Sequence, residues 1–316
     1  MLAPLTGVSD VAFRRIAARF GAGHVVTEMV ASGALVRGQA EALIKAEGRG
    51  LSPHVVQLVG RDPDLMAEAA RLAQGSGADV IDLNFGCPAK RVTGGLAGSA
   101  LMREPGRALV IVDAVLRAVS IPVTVKMRLG WDAVSLNAPD LLRDLTAAGA
   151  AAFTVHGRTR QQFYTGRADW SAVAGAVAVT HRPVLVNGDI IDLRSAREAV
   201  AASGASGAMI GRAAVGQPWI VAEIAAALDG RPFGSPSASA RAEAAVEHYE
   251  ALLSLYGLEI GRRCARKHLA AYADRARDDG FAVGELDRRE LVVSDDPSRV
   301  VALLRAVYAE PTRLAA

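Results

Sequence analysis

Short apolar runs rich in β-branched residues alternate along the chain with longer segments of helical period. The runs cover residues 2–4, 24–27, 54–58, 80–83, 123–126, 152–155, 184–186 and 208–210. The segments between them read as helices at 62–74, 106–119, 139–148, 171–180 and 192–202, the first with Asp62 as cap and Pro63 in its opening turn. Parallel neighbours need long crossovers, so strands alternating with helices predict a parallel sheet. Eight strands is the number that closes a (β/α)8 TIM barrel. A six-stranded doubly wound sheet would carry a glycine-rich fingerprint after its first strand, and none follows here. The predicted fold is therefore α/β, a barrel over 1–228. The first run begins at residue 2, with Met1 nearly inside it, which implies either a barrel floor without its usual plug or a longer natural chain.

After residue 228 the texture changes. Residues 229–240 are rich in Gly, Pro and Ser and read as a linker. From 241 to 316 there is no convincing strand, only amphipathic helical stretches, which predicts a smaller all-helical C-terminal domain. Its residues 262–277 hold Arg262, Arg263, Arg266, Lys267, Arg275 and Arg277 against Asp274 alone. Arg262 and Arg266 are four apart, as are Arg263 and Lys267, so both pairs share one broad helix face. Such a face is costly unless an anion meets it.

Barrel enzymes build their sites at the C-terminal ends of the strands. Those ends carry Pro4, Glu28, Gln57, Asn84, Lys126, His156, Asn187 and Gly211–Arg212. Eight small or polar positions in register predict a ring of donors that suits a planar, polar-edged cofactor. Asn187, Gly188 and Asp189 follow strand seven, and Gly211 and Arg212 follow strand eight, where this fold commonly holds phosphate. Glycine lets backbone N–H groups approach a phosphate, and Arg212 can add a bidentate contact. Lys126 ends a largely apolar run and needs a partner at the mouth. Cys87 lies in a Gly/Pro-flanked loop just after strand four, unlike Cys264 in a helical segment. A thiol of pKa ~8.5 is mostly protonated at neutral pH and can donate a proton.

Composition narrows the setting. The 316 residues are 51% hydrophobic, enough for a large core, yet no apolar run approaches a membrane span. Net charge is only +3, too mild to name a nucleic-acid binder by itself. Of the 36 basic residues only Lys45, Lys90, Lys126 and Lys267 are lysine, the imprint of a GC-rich coding bias. Two cysteines cannot make a disulfide framework and fit a reducing cytoplasm. No metal-ligand spacing occurs, so no metal is expected.

The segments LAPLTGVSDVAFRR, DLNFGCPAKRVTGGLAGSALM, VTVKMRLGW, VHGRTRQQFYTGRADW, PVLVNGDI, IGRAAVGQPW and RKHLAAYA together resemble the tRNA-dihydrouridine synthases, closest to their B-type subgroup. The resemblance covers almost the whole chain and implies an FMN-binding barrel with a C-terminal helical tRNA-binding domain. It departs at Leu5, where methionine is usual, and at Ala271, where tryptophan or serine is usual. It implies that Pro4, Leu5 and Thr6 contact FMN through their backbone. Gln57, Lys126 and His156 would hold the isoalloxazine edge, while Asn187, Gly188, Asp189, Gly211 and Arg212 would hold the ribityl phosphate. Asn84 would position the uracil. NADPH would reduce the flavin, which would pass hydride to C6 of a D-loop uridine while Cys87 protonates C5. Arg91, Arg128, Arg158 and Arg160 would meet the RNA backbone at the entrance, and Arg266 and Lys267 would meet it from the helical tail. A monomer is expected, because the tRNA must wrap the chain. Two rivals remain at this point: a flavin barrel dehydrogenase acting on a free pyrimidine, and a regulatory nucleic-acid-binding protein with a retired barrel.

Overall fold

The alternation of residues along each run builds the barrel wall. In the computed structural model, which describes residues 1–309, the strands are β1 (Val25–Val26), β2 (Val30–Ala31), β3 (His54–Val59), β4 (Val80–Phe85), β5 (Val123–Arg128), β6 (Ala152–His156), β7 (Val184–Asn187) and β8 (Gly207–Met209). All named pairings are parallel, in the order β1-β3-β4-β5-β6-β7-β8, and β2 also pairs with β3. Leu2 bridges both Val25 and Ile210 and so closes the ring. The chain is thus a (β/α)8 barrel followed by a helical C-terminal segment. Residues 310–316 of the predicted C-terminal domain lie outside the described residues.

Two staves differ from expectation. The predicted strand 2–4 shrinks to a bridge at Leu2, with Ala3 N–H still reaching Ile210 O at 2.8 Å. Proline at position 4 has no N–H for a further rung. The second stave is broken: β1 and β2 both pair with β3, and Thr27–Met29 leave the ladder between them.

Outward residues Ile81, Leu83, Phe85, Val123, Val125, Met127, Phe153, Val155, Val184 and Val186 are buried in the large core under the helices. The inward set on the same strands is largely polar: Asp82, Asn84, Thr124, Lys126, Arg128, Thr154, His156 and Asn187, with Ala152 and Leu185 the apolar members in register with Thr124 and Thr154. The floor is apolar inside, with Ala3, Val26, Val55 and Met209 packed together and Met1 and Val80 against them. The mouth side of the barrel is therefore lined for binding rather than for packing.

The surrounding helices are α1 (Val11–Arg19), α2 (Ser32–Val36), α3 (Ala40–Ala46), α4 (Pro63–Gly75), α5 (Lys90–Thr93), α6 (Pro105–Ala118), α7 (Ala138–Ala148), α8 (Ala174–Val177), α9 (Leu193–Ser203) and α10 (Ile220–Leu228). Asp62 caps α4 as its sequence predicts, accepting from the N–H groups of Asp64 and Leu65 at 3.0 Å each. The single helix predicted over 171–180 instead divides into a 3-10 turn at Ser171–Val173 and the short α8.

The C-terminal segment comprises α11 (Ala238–Tyr256), α12 (Leu258–Asp278), α13 (Glu285–Val293) and α14 (Pro297–Val307). Helix α11 starts inside the predicted linker because the Ser237 hydroxyl caps it, accepting from Ala240 N–H at 3.2 Å. Its core, built on Val246, Tyr249, Leu252, Leu269, Tyr272, Leu291 and Leu304, includes Ala12 of α1 and Trp219 before α10. The helical segment is thereby packed onto the barrel flank. Among the described residues no helix is long and apolar enough to cross a membrane.

Candidate active site

Register brings the predicted strand-end residues to one level of the barrel mouth. Asn84 pairs with Lys126, Arg128 with His156, and His156 with Asn187 on adjacent strands. Lys126 Nζ donates to Asn187 Oδ1 at 3.0 Å, and Asn187 Nδ2 donates to Met209 O at 2.8 Å, joining β5, β7 and β8. Burial pushes the Lys126 ammonium down to about 8, with Arg128 adding to the effect and Asp82 opposing it. Burial, with the Lys126, Arg128 and Arg158 charges, holds His156 well below its ordinary value, so its ring is neutral at pH 7. The mouth thus carries an ammonium with donors to spare beside a neutral imidazole.

The loops after β7 and β8 supply the backbone donors. Gly188 has φ +115°, and a Cβ there would lie 2.8 Å from Ala168 Cβ and 3.1 Å from His156 Nε2, so only glycine fits. At Gly211 the nearest heavy atom to a Cβ would be Leu5 Cδ2 at 3.8 Å, which places the 4–6 segment beside this loop. The N–H groups of Gly188, Asp189, Gly211 and Arg212 find no acceptor among the described residues. Four free donors, an open approach at Gly211 and the adjacent Lys126 fit a phosphate-bearing, polar-edged cofactor.

The Asp189 carboxylate has a different role from the predicted one. It accepts from Ala168 N–H at 2.8 Å, from the Arg158 guanidinium and from Arg212 at 3.4 Å. Burial acts against ionisation here, but these donors outweigh it and hold the carboxyl below its ordinary value. The Asp189 side chain therefore organises the loop, whose backbone at this residue stands at φ +52°.

Cys87 sits on a loop that is held from several sides. Asn84 Oδ1 accepts from the N–H groups of Gly86 (3.1 Å) and Cys87 (2.8 Å). Ser99 donates to Cys87 O through both N–H and hydroxyl, at 3.1 and 2.9 Å. Arg128 Nε donates to Gly86 O at 2.8 Å. Burial pushes the thiol up, against the Ala89 N–H, Arg128 and Lys126, so Cys87 is protonated at neutral pH. A buried thiol of this kind is a poor nucleophile and a competent acid.

Two predicted substrate contacts are corrected by burial. Arg128 is 2% exposed, and besides Gly86 O it serves Thr159 O (2.8 Å) and Phe163 O (2.9 Å). Arg158 is equally buried and serves Thr165 O (3.1 Å), Gly166 O (2.7 Å) and Asp189. Both tie loops together, and an RNA backbone cannot reach them. Asn84 gives its carbonyl to the Cys87 turn and one amide hydrogen to Gln57 Oε1 at 2.8 Å. Arg91 is exposed, and Arg160 lies over the Trp131 ring at 4.8 Å.

The basic stretch of α12 is also thinner than its sequence implies. Arg262 pairs with Asp295 (3.4 Å), Arg275 with Asp278 (3.6 Å) and Arg277 with Glu285 (3.2 Å). Arg263, Arg266 and Lys267 are exposed, and none has a carboxylate partner among the described residues. Lys267 Nζ reaches toward Gly7, where it would lie 3.6 Å from a Cβ. Sequence reasoning missed Tyr164, half exposed at the rim between the guanidinium groups of Arg128 (5.6 Å) and Arg212 (5.5 Å). Two arginines from distant elements that converge only after folding leave no local signal for it.

Comparison with known proteins places this mouth. The profile of the family described as dihydrouridine synthase (Dus) matches residues 1–299. The probable tRNA-dihydrouridine synthase of Rhodobacter capsulatus is 49% identical over 98% of this chain and 94% of its own length. The tRNA-dihydrouridine synthase B of Xanthomonas axonopodis pv. citri is 43% identical over 86% of this chain and 83% of its own. Among solved structures, a 2-naphthoyl-CoA reductase complex aligns with TM-score 0.53 at 13% identity, covering 73% of this chain and 48% of that one, a likeness of fold. Barrel, mouth and relatives together define a flavin-dependent oxidoreductase. The chain belongs to the dihydrouridine synthase family, which sets aside both rival readings.

Proposed function

We propose that this tRNA-dihydrouridine synthase uses FMN and NADPH in the cytoplasm to reduce the C5–C6 double bond of a D-loop uridine, with Cys87 as the proton donor. One observation carries the reading: phosphate-ready loops and a protonated, firmly held thiol share a single barrel mouth. The N–H groups of Gly188, Asp189, Gly211 and Arg212 would hold the FMN phosphate, with Pro4, Leu5 and Thr6 alongside. Lys126 and His156 would hold the ring edge, while Gln57, expected there from the sequence, is 0% exposed with its Nε2 on Asp82 and its Oε1 accepting from Asn84, and would stand behind them. When bound, FMN reduced by NADPH supplies the hydride that reaches C6 of the uracil. Cys87 then gives its proton to C5, and the positive charges of Lys126 and Arg128 favour the negative charge that precedes this transfer. The base must leave its stack to enter so enclosed a mouth.

The cofactor assignment is tested by denaturing the purified protein and identifying the chromophore released. FMN is expected; FAD, or no flavin after purification with excess FMN, would remove the assignment. The helical segment would act as the tRNA-binding domain, meeting the RNA backbone through Arg263, Arg266 and Lys267, while Arg91 and Arg160 meet it at the rim. Reversing Arg266 and Lys267 to glutamate is expected to weaken tRNA binding and flatten its salt dependence, by up to about 0.9 in log–log slope per lost phosphate contact. Flavin content should not change. An unaltered slope in the folded double variant would place the RNA elsewhere.

A further inference from the structure

One ionisable group inside the barrel is used by none of these steps. Asp82 is the middle inward residue of β4 and is 4% exposed. Both of its oxygens accept: one from Gln57 Nε2 at 2.7 Å, the other from Thr124 Oγ1 at 2.6 Å. Gln57 and Thr124 are its partners in register on the two flanking strands. The chain of bonds then continues toward the mouth. Gln57 Oε1 accepts from Asn84 Nδ2 at 2.8 Å, and Asn84 Oδ1 accepts from the N–H groups of Gly86 and Cys87.

An amide has a donor end and an acceptor end, and either can face a neighbour, whereas an ionised carboxylate only accepts. Burial raises the Asp82 carboxyl against the Gln57 and Thr124 hydrogen bonds and the Lys126 charge, but both its oxygens accept here, and in that state it admits only the NH2 end of Gln57. That choice turns Gln57 Oε1 to Asn84, demands the NH2 end of Asn84 in return, and leaves the Asn84 carbonyl for the Cys87 turn. With the amides reversed, the Asn84 NH2 would face two backbone N–H donors, and the turn would lose the one anchor that holds its N–H groups, keeping only those of Ser99 and Arg128 on its carbonyls. The geometry points to Asp82 as a positioning residue: by setting the polarity of the Gln57–Asn84 chain, it fixes the backbone that carries Cys87. Its relevance to catalysis rests on the proposed role of Cys87, but its effect on the turn does not.

The test uses full-length, flavin-loaded protein in a Cys264→Ser background, so that Cys87 is the sole thiol. Asp82→Asn keeps the shape but offers Gln57 either a donor or an acceptor. Amide exchange at Gly86 and Cys87, and alkylation of Cys87 by iodoacetamide, should both quicken about tenfold, the protection worth one hydrogen bond. Thr124→Val removes the other contact of Asp82 but leaves the polarity in place, so both rates should stay within about twofold of the parent. Oxidation of the reduced flavin by tRNA should slow in Asp82→Asn more than its reduction by NADPH.

Unchanged exchange in Asp82→Asn would overturn the inference, as would an equal effect of Thr124→Val, which would mean packing rather than polarity. If Asp82→Asn does not fold, Gln57→Met breaks the same chain one link on and must loosen the same two amides. A loosened turn with an unaltered tRNA half-reaction, in a protein that Cys87→Ala does slow, would also defeat the positioning role. Failure of Cys87→Ala itself would strike the proton-donor reading, and Asp82 would then be judged on exchange and alkylation alone.

Discussion

Replacing Cys87 by alanine should slow the oxidation of reduced flavin by tRNA about 10²–10⁴-fold while leaving the reduction of the flavin by NADPH unchanged. The separation follows from where the thiol sits. Cys87 is on the loop after β4, and burial keeps it protonated. The predicted cofactor-holding groups lie on other staves, and Lys126, Asn187 and Met209 O are bonded to one another without it. The loop itself should survive the change, because Asn84, Ser99 and Arg128 all grip backbone atoms of Gly86 and Cys87. Loss of the side chain therefore removes a proton from the site without removing the site. Single-turnover absorbance of the flavin, with NADPH and tRNA added in turn, separates the two half-reactions. An unchanged rate with tRNA would take Cys87 out of the mechanism, and a loss of both rates would make it structural.

Much of this arrangement is legible in the sequence because a strand writes its two faces alternately. The run Val-Thr-Val-Lys-Met-Arg at β5 already separates an outer apolar face from an inner polar one, and register alone carries Lys126 to the level of Asn84. The same alternation in Ile-Asp-Leu-Asn holds the signal for Asp82, which a search confined to strand ends passes over. The buried arginines were illegible for a different reason. Arg128 and Arg158 find carbonyl acceptors on the loop after β6, which folds back over them, and no local pattern records that closure. The start of α11 was obscured by composition, since the small residues 238–240 read equally well as linker or as a first turn behind the Ser237 cap. Within the broken second stave the Glu28 carboxylate accepts from Gly7 N–H, a contact between distant parts of the chain that no local pattern records.

Acid should loosen the junction between barrel and helical segment well before the carboxylates of the surface are protonated. His248 and His268 are 0% and 2% exposed and stand 4.5 Å apart between ring centroids, with Phe13 of α1 against both. His248 Nδ1 meets Tyr272 Oη at 3.2 Å, but its Nε2 and both nitrogens of His268 have no partner among the described residues. Burial, with Lys267 adding, pushes His248 down to about 3, and burial with His248 and Lys267 holds His268 well below its ordinary value. A histidine that must stay neutral when folded but can charge when unfolded stabilises fully only above its unfolded value. That stability is lost as pH falls below about 6.5, at about 1.4 kcal/mol per pH unit for each ring.

Asp10 works in the opposite sense. Burial raises it to about 6, so the fold gains from its protonation between there and its ordinary value of 3.8. Moving from pH 7.5 to pH 5 should therefore cost about 2 kcal/mol through His248 and a further loss through His268, and return about 1 kcal/mol through Asp10. His268→Leu removes one ring from this balance at nearly constant volume, so the variant should lose less stability than the parent over the same interval. Denaturant unfolding of parent and variant at the two pH values measures both losses, and the exposed carboxylates, common to both proteins, cancel in the difference. Equal losses would mean that His268 gains a proton within the fold, and with it a partner at this junction.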